Sequence, residues 1–427
     1  MSFSRTQLVI GGAVLAVVLF FVLLFLRVIP GLRDSGPTTQ LSTVEVWGVF
    51  EDAQVLQELK SAVPFRYRGF DPATYEADLV NALAAGNGPD VFMVHNTWLP
   101  KHFDKLKQIP EKFLPYASFL NLFPKVVEQD FGPNGAVYAL PLYIDTLAML
   151  YNKDIFDAKG IALPPKTWSE FAKLVPSLRE LDSKGRVVKA AAAIGGSAKS
   201  INRATDLLNA LMLQSGVSMT SDDFDRATFA TAGKQAFDFY LTFANPANSA
   251  FTWSEDFPYS IDSFADESTA VIFNYSYQQA ALKQKNPFLR VGVAPLPQPV
   301  SASRSVTFAN YWGFAVSARS AHPEAAAQFV VGLVTDQARA KKYFDLTSRP
   351  SALRTLIEAE ANLPDLGVFA NQALIARSWP QIDNSLVERV FSEAIASVLN
   401  VRLTPAEALT NAEHQITEAM ERRKVVQ

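Results

Sequence analysis

The 427-residue chain contains no cysteine and only four histidines, and both shortages exclude classes of function. Without cysteine there is no disulfide framework, no thiolate metal site, no thiol nucleophile and no lipid attached through an N-terminal cysteine. The histidines also lack the spacing of a metal site; they are His95, His102, His322 and His414. We therefore predict neither a metal nor another cofactor, and any membrane anchor has to be a peptide segment.

The chain also lacks a strong charge of either sign. Its 39 basic and 42 acidic side chains leave a formal net charge of −3, which is not the composition of a nucleic-acid-binding protein. Apolar residues make up 49% of the chain and aromatic residues 11%, as in folded proteins. Because the length exceeds what one compact core normally holds, we expect two domains.

One long uncharged run is present, at the N-terminus. Residues 8–26 are overwhelmingly apolar, and about 19 residues in a helix span roughly 28 Å, enough to cross a bilayer. We predict a cytoplasmic N-terminus at 1–7, a single-pass transmembrane signal anchor at 8–26 and a stalk at 27–42. Arginines on both sides of the run leave its orientation open by charge alone. A single anchor before a long globular part favours a cell-membrane protein whose soluble part is extracytoplasmic.

Strands and helices alternate after the stalk. Alternating apolar residues over 43–50 predict a first strand, and the apolar run 91–94 predicts a strand buried on both faces. Between them, Asp71 and Pro72 predict the start of a helix. This order indicates an α/β lobe, in which ligands bind at the carboxyl ends of the strands. The polar and aromatic residues that follow the two strands are Glu51, Asp52, Asn96 and Trp98.

A longer motif occupies residues 140–154, LPLYIDTLAMLYNKD, and PPKTW follows at 164–168. Shorter supporting segments are AAGNGPDV at 84–91, FA at 264–265 before AVIFN at 270–274, and VAPLP at 293–297. In this order and spacing they resemble the extracellular solute-binding proteins of family 1, the maltose-binding-protein-like substrate-binding components of ABC transporters. The resemblance runs from about residue 43 to residue 424.

The resemblance implies a two-lobed α/β fold of the periplasmic-binding-protein type (type II), with a hinge between the lobes. It assigns residues 43–145 and 291–340 to the N-terminal lobe and residues 146–290 and 341–427 to the C-terminal lobe. It also implies a receptor that captures a carbohydrate-like solute and delivers it to permease subunits. We expect the protein to be a monomer and not an enzyme. Family members usually carry a cleaved signal or a lipid-bearing cysteine, and this chain has neither.

Carbohydrate sites combine aromatic platforms with carboxylates and amides. Aromatic candidates at strand ends or in polar loops are Trp98, Tyr143, Trp253, Tyr275, Tyr277, Tyr311 and Trp312. Polar candidates are Glu51, Asp52, Asn96 and Asp145. The resemblance places Asp145 where the family uses an acid for sugar hydroxyls, with a hinge-stabilising salt bridge as the alternative. Asn96 has the alternative role of a helix cap, and Arg203 is predicted to be a surface helix residue in preference to a contact for an anionic ligand.

Two other functions remain open at this stage. A sensor or surface-receptor partner would bind the same ligand but signal instead of feeding a transporter, and the sequence does not separate the two. A carbohydrate-active hydrolase would need a pair of carboxyl groups at a defined separation, and no spacing in the sequence establishes such a pair. All these functions depend on one expectation, that the strand ends near 52, 96, 145, 275 and 312 converge on one crevice.

Overall fold

The computed structural model describes residues 42–300 and 302–426. The chain divides into two units, residues 1–42 and 43–427. The predicted N-terminus, transmembrane anchor and stalk up to residue 41 lie outside the described residues. Within the described ranges, no helix combines the length and the apolar character that a membrane span requires.

The first sheet is built from six of the described strands. Their order is β2–β1–β3–β13–β4, and β5 also pairs with β13. The strands are β1 (Val44–Gly48), β2 (Phe65–Gly69), β3 (Val91–His95), β4 (Leu106–Lys107), β5 (Ala139–Pro141) and β13 (Trp312–Ser317). Strand β1 is parallel to β2 and β3, whereas β13 is antiparallel to its three neighbours. The carboxyl ends of β1 and β3 and the amino end of β13 therefore share one edge of the sheet.

The second sheet has β7 (Ala148–Asn152) at its centre, with β10 (Val271–Asn274) and β11 (Val291–Ala294) antiparallel on either side. A small hairpin, β8 (Glu180–Leu181) with β9 (Val187–Lys189), lies apart from it. Buried apolar side chains around the second sheet form one core that also includes residues from the C-terminal helices. Other buried side chains, including those of β1 and β3, pack around the first sheet. The fold therefore has two α/β lobes.

A third, short sheet joins the two lobes, and we call it the connecting sheet. It consists of β6 (Asp145–Thr146), β12 (Thr307–Asn310) and β14 (Ala376–Arg377), in the order β14–β12–β6. Strand β6 runs within two residues into β7 of the second sheet, and β12 runs with the same spacing into β13 of the first sheet. The connecting sheet therefore carries the chain between the lobes.

Helices cover the sheets, as expected when each sheet buries apolar residues on both faces. They are α1 (Ala53–Glu58), α2 (Tyr75–Ala84), α3 (Leu99–His102), α4 (Tyr116–Leu122), α5 (Lys125–Phe131), α6 (Lys153–Ala158), α7 (Trp168–Leu178), α8 (Ala204–Gln214), α9 (Ala230–Thr242), α10 (Ser260–Ala265), α11 (Gln278–Lys285), α12 (Pro323–Val334), α13 (Gln337–Thr347), α14 (Arg354–Glu360), α15 (Leu366–Ala373), α16 (Asn384–Leu399) and α17 (Pro405–Val426). Short 3₁₀ turns occur at Phe103–Lys105 and Pro133–Gly135.

The predicted strands at 43–50 and 91–94 are confirmed as β1 and β3, and all five residues of β3 are buried. The helix start predicted at Asp71 and Pro72 was too early. Helix α2 begins at Tyr75, because Asp71 uses its carboxylate to accept a hydrogen bond from the Ala73 amide (2.8 Å) in a turn before the helix.

The predicted lobe boundaries stay a prediction, although strand pairing gives two points near them. Strand β11 pairs with β7 of the second sheet, and β13 pairs with β3 of the first. The chain therefore changes sheets between residues 294 and 312.

Candidate ligand-binding site

A cavity of about 310 Å³ lies where both lobes meet the connecting sheet, and we call it the cleft cavity. It is lined by Phe50, His95, Tyr143, Asp145, Arg203, Tyr277, Asn310, Trp312, Arg349 and Asn384. The first lobe contributes the ends of β1 and β3 and the start of β13, and the second lobe contributes the segments before α8 and α11. Carboxyl ends of strands in open α/β sheets are the usual place for a ligand.

Trp312 is the aromatic residue at the centre of the first-lobe wall. Its ring lies 5.0 Å from the ring of Trp98, 5.3 Å from that of His95 and 5.9 Å from that of Phe50, in edge-to-face arrangements. These neighbours fix the orientation of the indole and leave it half-buried at the cavity. A fixed aromatic face of this kind is suited to stack on the C–H face of a sugar ring.

Asp145 is the acidic residue of the lining, and its carboxylate is nearly saturated with hydrogen bonds. It accepts from the Thr146 amide (2.9 Å), the Ser276 amide (3.0 Å) and the Ser276 hydroxyl (2.7 Å). Burial raises the pKa of Asp145 to about 6, against the lowering effect of these donors and of the Tyr277 amide. The carboxylate therefore ties the connecting sheet to the segment after β10.

Arg349, a residue of the lining, forms an ion pair with Glu51, which is buried behind it. Arg349 Nη1 donates to Glu51 Oε1 at 2.7 Å, and the Glu51 side chain is only 2% exposed. Burial raises the pKa of Glu51, while the charge of Arg349 and the Tyr343 hydroxyl act in the opposite direction. The guanidinium also lies 4.7 Å from the centre of the Tyr143 ring, so it holds that ring against the cavity.

Arg203 brings a second guanidinium to the lining from the other lobe. Its Nε donates to the Tyr277 hydroxyl at 2.9 Å, and its guanidinium lies 5.5 Å from the Tyr275 ring and 5.8 Å from the Tyr277 ring. The backbone of Arg203 is left-handed, with φ 62° and ψ 24°. That conformation is uncommon for a residue other than glycine, and it tends to occur at functional sites.

His95 is a neutral member of the lining. Its Nδ1 lies 2.8 Å from Thr97 Oγ1 and its Nε2 lies 3.4 Å from Asn310 Oδ1. Burial lowers the pKa of His95 to about 4. The imidazole is therefore uncharged at neutral pH and contributes polarity without charge.

Two polar contacts cross from the first lobe to the start of α16 beside the cavity. Trp98 Nε1 donates to Asn384 Oδ1 at 2.7 Å. Lys101 Nζ lies 2.5 Å from Asp383 Oδ2 and 2.6 Å from Glu76 Oε1. These contacts hold the two lobes together in the described arrangement.

The structure brings four of the predicted site residues to the cleft cavity: Tyr143, Asp145, Tyr277 and Trp312. Three more lie directly behind it and support the lining: Glu51 behind Arg349, Trp98 behind Trp312 and Tyr275 behind Tyr277. Asp52 instead caps α1, because its carboxylate accepts from the Gln54 amide (2.7 Å).

Asn96, Tyr311 and Trp253 do not line the cleft cavity. Asn96 and Tyr311 both donate to Asp130, and Asn96 lines a different, larger crevice of about 550 Å³. Trp253 is fully buried in the second core, where its Nε1 donates to Ser200 Oγ (3.0 Å). A ligand-binding role for any of the predicted residues stays a prediction.

Sequence reasoning missed six lining residues: Phe50, His95, Arg203, Asn310, Arg349 and Asn384. Three of them directly adjoin predicted residues, since Phe50 precedes Glu51, His95 precedes Asn96 and Asn310 precedes Tyr311. Side chains alternate between the faces of a strand, so an error of one residue moves the choice to the opposite face. Arg203 is not a surface helix residue as predicted, because it precedes α8 and faces the cavity.

Comparison with known proteins agrees with this geometry. Residues 57–364, well over half of the chain, match the family model described as bacterial extracellular solute-binding protein. The chain belongs to that family. This solute-binding protein is 26% identical to a probable ABC transporter-binding protein of Deinococcus radiodurans, over 78% of this chain and 80% of that protein. It is 23% identical to the multiple sugar-binding protein of Streptococcus mutans, over 56% of this chain and 57% of that one.

Solved structures share the fold of this solute-binding protein. The cyclic alpha-maltosyl-1,6-maltose binding protein from Arthrobacter globiformis has a TM-score of 0.73 at 18% identity, covering 89% of this chain and 99% of that chain. The sugar-binding protein MalE from Xanthomonas citri also has a TM-score of 0.73, at 17% identity, covering 90% and 99%. The two-lobed α/β architecture predicted from the sequence is thereby confirmed.

The acidic residues of the lining bear on the hydrolase alternative. A glycosidase acts with two carboxyl groups on either side of the scissile bond. Among the described residues that line the cleft cavity, Asp145 is the only acid, and its oxygens already accept hydrogen bonds from its own surroundings.

Proposed function

We propose that the cleft cavity captures a carbohydrate-like solute without chemical turnover and that the protein delivers this solute to the permease subunits of an ABC transporter. The supporting observation is the lining itself, in which aromatic and polar side chains from both lobes surround one cavity. A ligand that contacts both walls stabilises the arrangement in which the walls are close. Two relatives, a probable ABC transporter-binding protein and a multiple sugar-binding protein, have names that support the same function.

We also propose where the protein lies in the cell. The apolar run at 8–26 supports a single-pass anchor in the cell membrane, with the two lobes outside the cytoplasm. Protease protection tests this part in cells whose outer envelope layers have been removed and whose cell membrane is intact. Cleavage of the lobes by an external protease is expected, and full protection until the cells are lysed contradicts the location.

Ligand capture is tested on the full-length protein by calorimetry against a panel of oligosaccharides, with small-angle scattering in the presence and absence of each ligand. We expect heat from at least one sugar and a smaller radius of gyration on binding. Asn384→Trp places bulk in the cavity and is expected to abolish both signals, whereas Phe288→Trp, at a side chain 88% exposed, is expected to leave them unchanged. No heat and no compaction with any sugar would contradict the proposal.

Delivery is tested separately by co-purification from membranes. Recovery of permease subunits with the ligand-loaded protein supports transport. Recovery of a kinase or another surface protein in their place supports the sensor function instead.

A further inference from the structure

The lining of the cleft cavity is rich in hydrogen-bond donors and poor in free acceptors. The oxygens of Asp145 accept from Thr146 and Ser276. The amide oxygen of Asn384 accepts from Trp98, which leaves the Asn384 NH₂ group as a donor. The amide oxygen of Asn310 faces His95 Nε2 at 3.4 Å. The acceptors that remain are chiefly tyrosine hydroxyls.

Arg203 supplies the largest share of the unused donors. Of its five N–H groups, Nε–H donates to the Tyr277 hydroxyl. Its Nη1 lies 3.7 Å from Asp206 Oδ2, beyond hydrogen-bond distance, while Asp206 accepts from the Tyr275 hydroxyl at 2.7 Å. The four Nη N–H groups therefore have no hydrogen-bond acceptor among the described residues, on a side chain that is 31% exposed.

The other arginine of the lining, Arg349, differs from Arg203 because its Nη groups donate hydrogen bonds within the protein. Arg349 donates to Glu51 and to the Phe50 carbonyl, so its charge is balanced within the protein. Arg203 has Asp206 within ion-pair distance, at 3.7 Å between Nη1 and Oδ2, but that carboxylate oxygen accepts its hydrogen bond from the Tyr275 hydroxyl.

The position of Arg203 is also held firmly. Its left-handed backbone sets the direction of the side chain, and the Tyr275 and Tyr277 rings stack at 6.0 Å beneath its guanidinium. A fixed planar guanidinium presents two parallel N–H groups, the geometry that binds a carboxylate or a phosphate with two hydrogen bonds.

We propose that the solute of this protein is an acidic carbohydrate whose anionic group, a carboxylate or a phosphate, is bound by Arg203 while Trp312 stacks on the sugar ring. This inference rests on the proposed function. Every hydroxyl of a neutral sugar brings a proton that needs an acceptor, and free acceptors are scarce in this lining. An anionic group brings acceptors alone and matches the unused donors.

The test compares matched ligands on the full-length protein by calorimetry. For each of several neutral disaccharides, the uronate form, the methyl ester of that uronate and the 6-phosphate are measured under one buffer condition. We expect the uronate or the phosphate to bind about tenfold or more tightly than both the neutral sugar and the methyl ester, because a charge-assisted bidentate contact is lost in the latter two. A preference for one acid over the other identifies the source of the charge.

Arg203→Gln is expected to reduce the ratio of the affinity for the acid to that for the neutral sugar to about onefold to threefold. Arg203→Lys is expected to retain part of this ratio. Arg290→Gln, at an exposed arginine paired with Asp154, is the matched control and is expected to keep the full preference. The ratio between acidic and neutral ligands separates recognition from a merely structural role, which changes the melting temperature but not the ratio.

Two results overturn the inference. Neutral sugars that bind as tightly as their acids, or a preference that survives Arg203→Gln, contradict it and leave the proposed function standing. Absence of binding by every member of the panel counts against the proposed function, and the inference falls with it.

Discussion

Replacing Asp130 with asparagine is expected to flatten the pH dependence of stability. Asp130 lies near the end of α5 and is buried. Its carboxylate accepts from the Tyr311 hydroxyl (2.7 Å), from Asn96 Nδ2 (3.0 Å) and from the Ser378 hydroxyl. Since Ser378 directly follows β14, this carboxylate links the first lobe to the connecting sheet. Burial raises its pKa from 3.8 to about 7, although the three donors lower it.

The direction in which stability changes with pH follows from proton linkage. A carboxyl group whose pKa is higher in the folded state keeps its proton longer there than in the unfolded chain. Its contribution to stability is fully present below pH 3.8 and is lost as the pH rises to about 7. At about 1.36 kcal/mol per pKa unit, the loss between pH 5 and pH 8 amounts to about 2–3 kcal/mol of the free energy of unfolding.

The assay is urea unfolding of the wild type and Asp130→Asn between pH 5 and pH 8. We expect the variant to gain stability relative to the wild type as the pH rises, by about 2–3 kcal/mol over this interval. Asp145 and His95 also titrate with shifted pKa values, but they do so in both proteins, so the difference isolates Asp130. Asp256→Asn, at an exposed carboxylate, is the control. A constant difference between wild type and Asp130→Asn from pH 5 to pH 8 would refute the reasoning.

Three further predictions concern the cleft and the local structure. Trp312→Ala removes the aromatic wall and is expected to weaken ligand binding by about tenfold or more in calorimetry; unchanged affinity contradicts the site. Trp253→Phe removes the hydrogen bond to Ser200 inside the second core, and we expect unchanged ligand affinity and a loss of about 1–3 kcal/mol in the free energy of unfolding by urea. Weakened binding with intact stability would instead place Trp253 in the binding site. Thr167→Ala breaks the capping box with Glu170 at the start of α7 and is expected to reduce stability by about 1 kcal/mol, whereas no change shows that the cap is redundant.

Local elements were predictable where short-range physics decides them. A threonine three residues before a glutamate, as in Thr167–Glu170 and Thr404–Glu407, is a sequence pattern typical of a capping box. Both pairs form its reciprocal hydrogen bonds. The apolar run at 91–94 predicted a strand buried on both faces, and β3 is buried throughout. The start of α2 was missed because Asp71 satisfies a nearby amide in a turn, an option that a local pattern does not distinguish from a helix cap.

The site was predictable only in outline. The strand ends did mark the region of the cavity, and Tyr143, Asp145, Tyr277 and Trp312 line it. Which neighbour faces the cavity depends on the register of each strand, which is set by pairing over long sequence separations such as His95 with Trp312.

The sequence by itself determined the family, the alternation of strands and helices and the stock of aromatic residues at strand ends, because composition, periodicity and motif spacing are properties of the chain alone. Only the tertiary structure decided which side chains share the cavity and which of them have their hydrogen-bonding groups occupied by other residues. Arg203 and Arg349 are the same residue type, yet packing places Glu51 against the guanidinium of Arg349. In the part of the chain that the structure describes, it gives the Nη groups of Arg203 no hydrogen-bond acceptor. Partners that lie far apart in the chain meet only in the folded molecule, so the availability of a charged group for a ligand is a property of the fold.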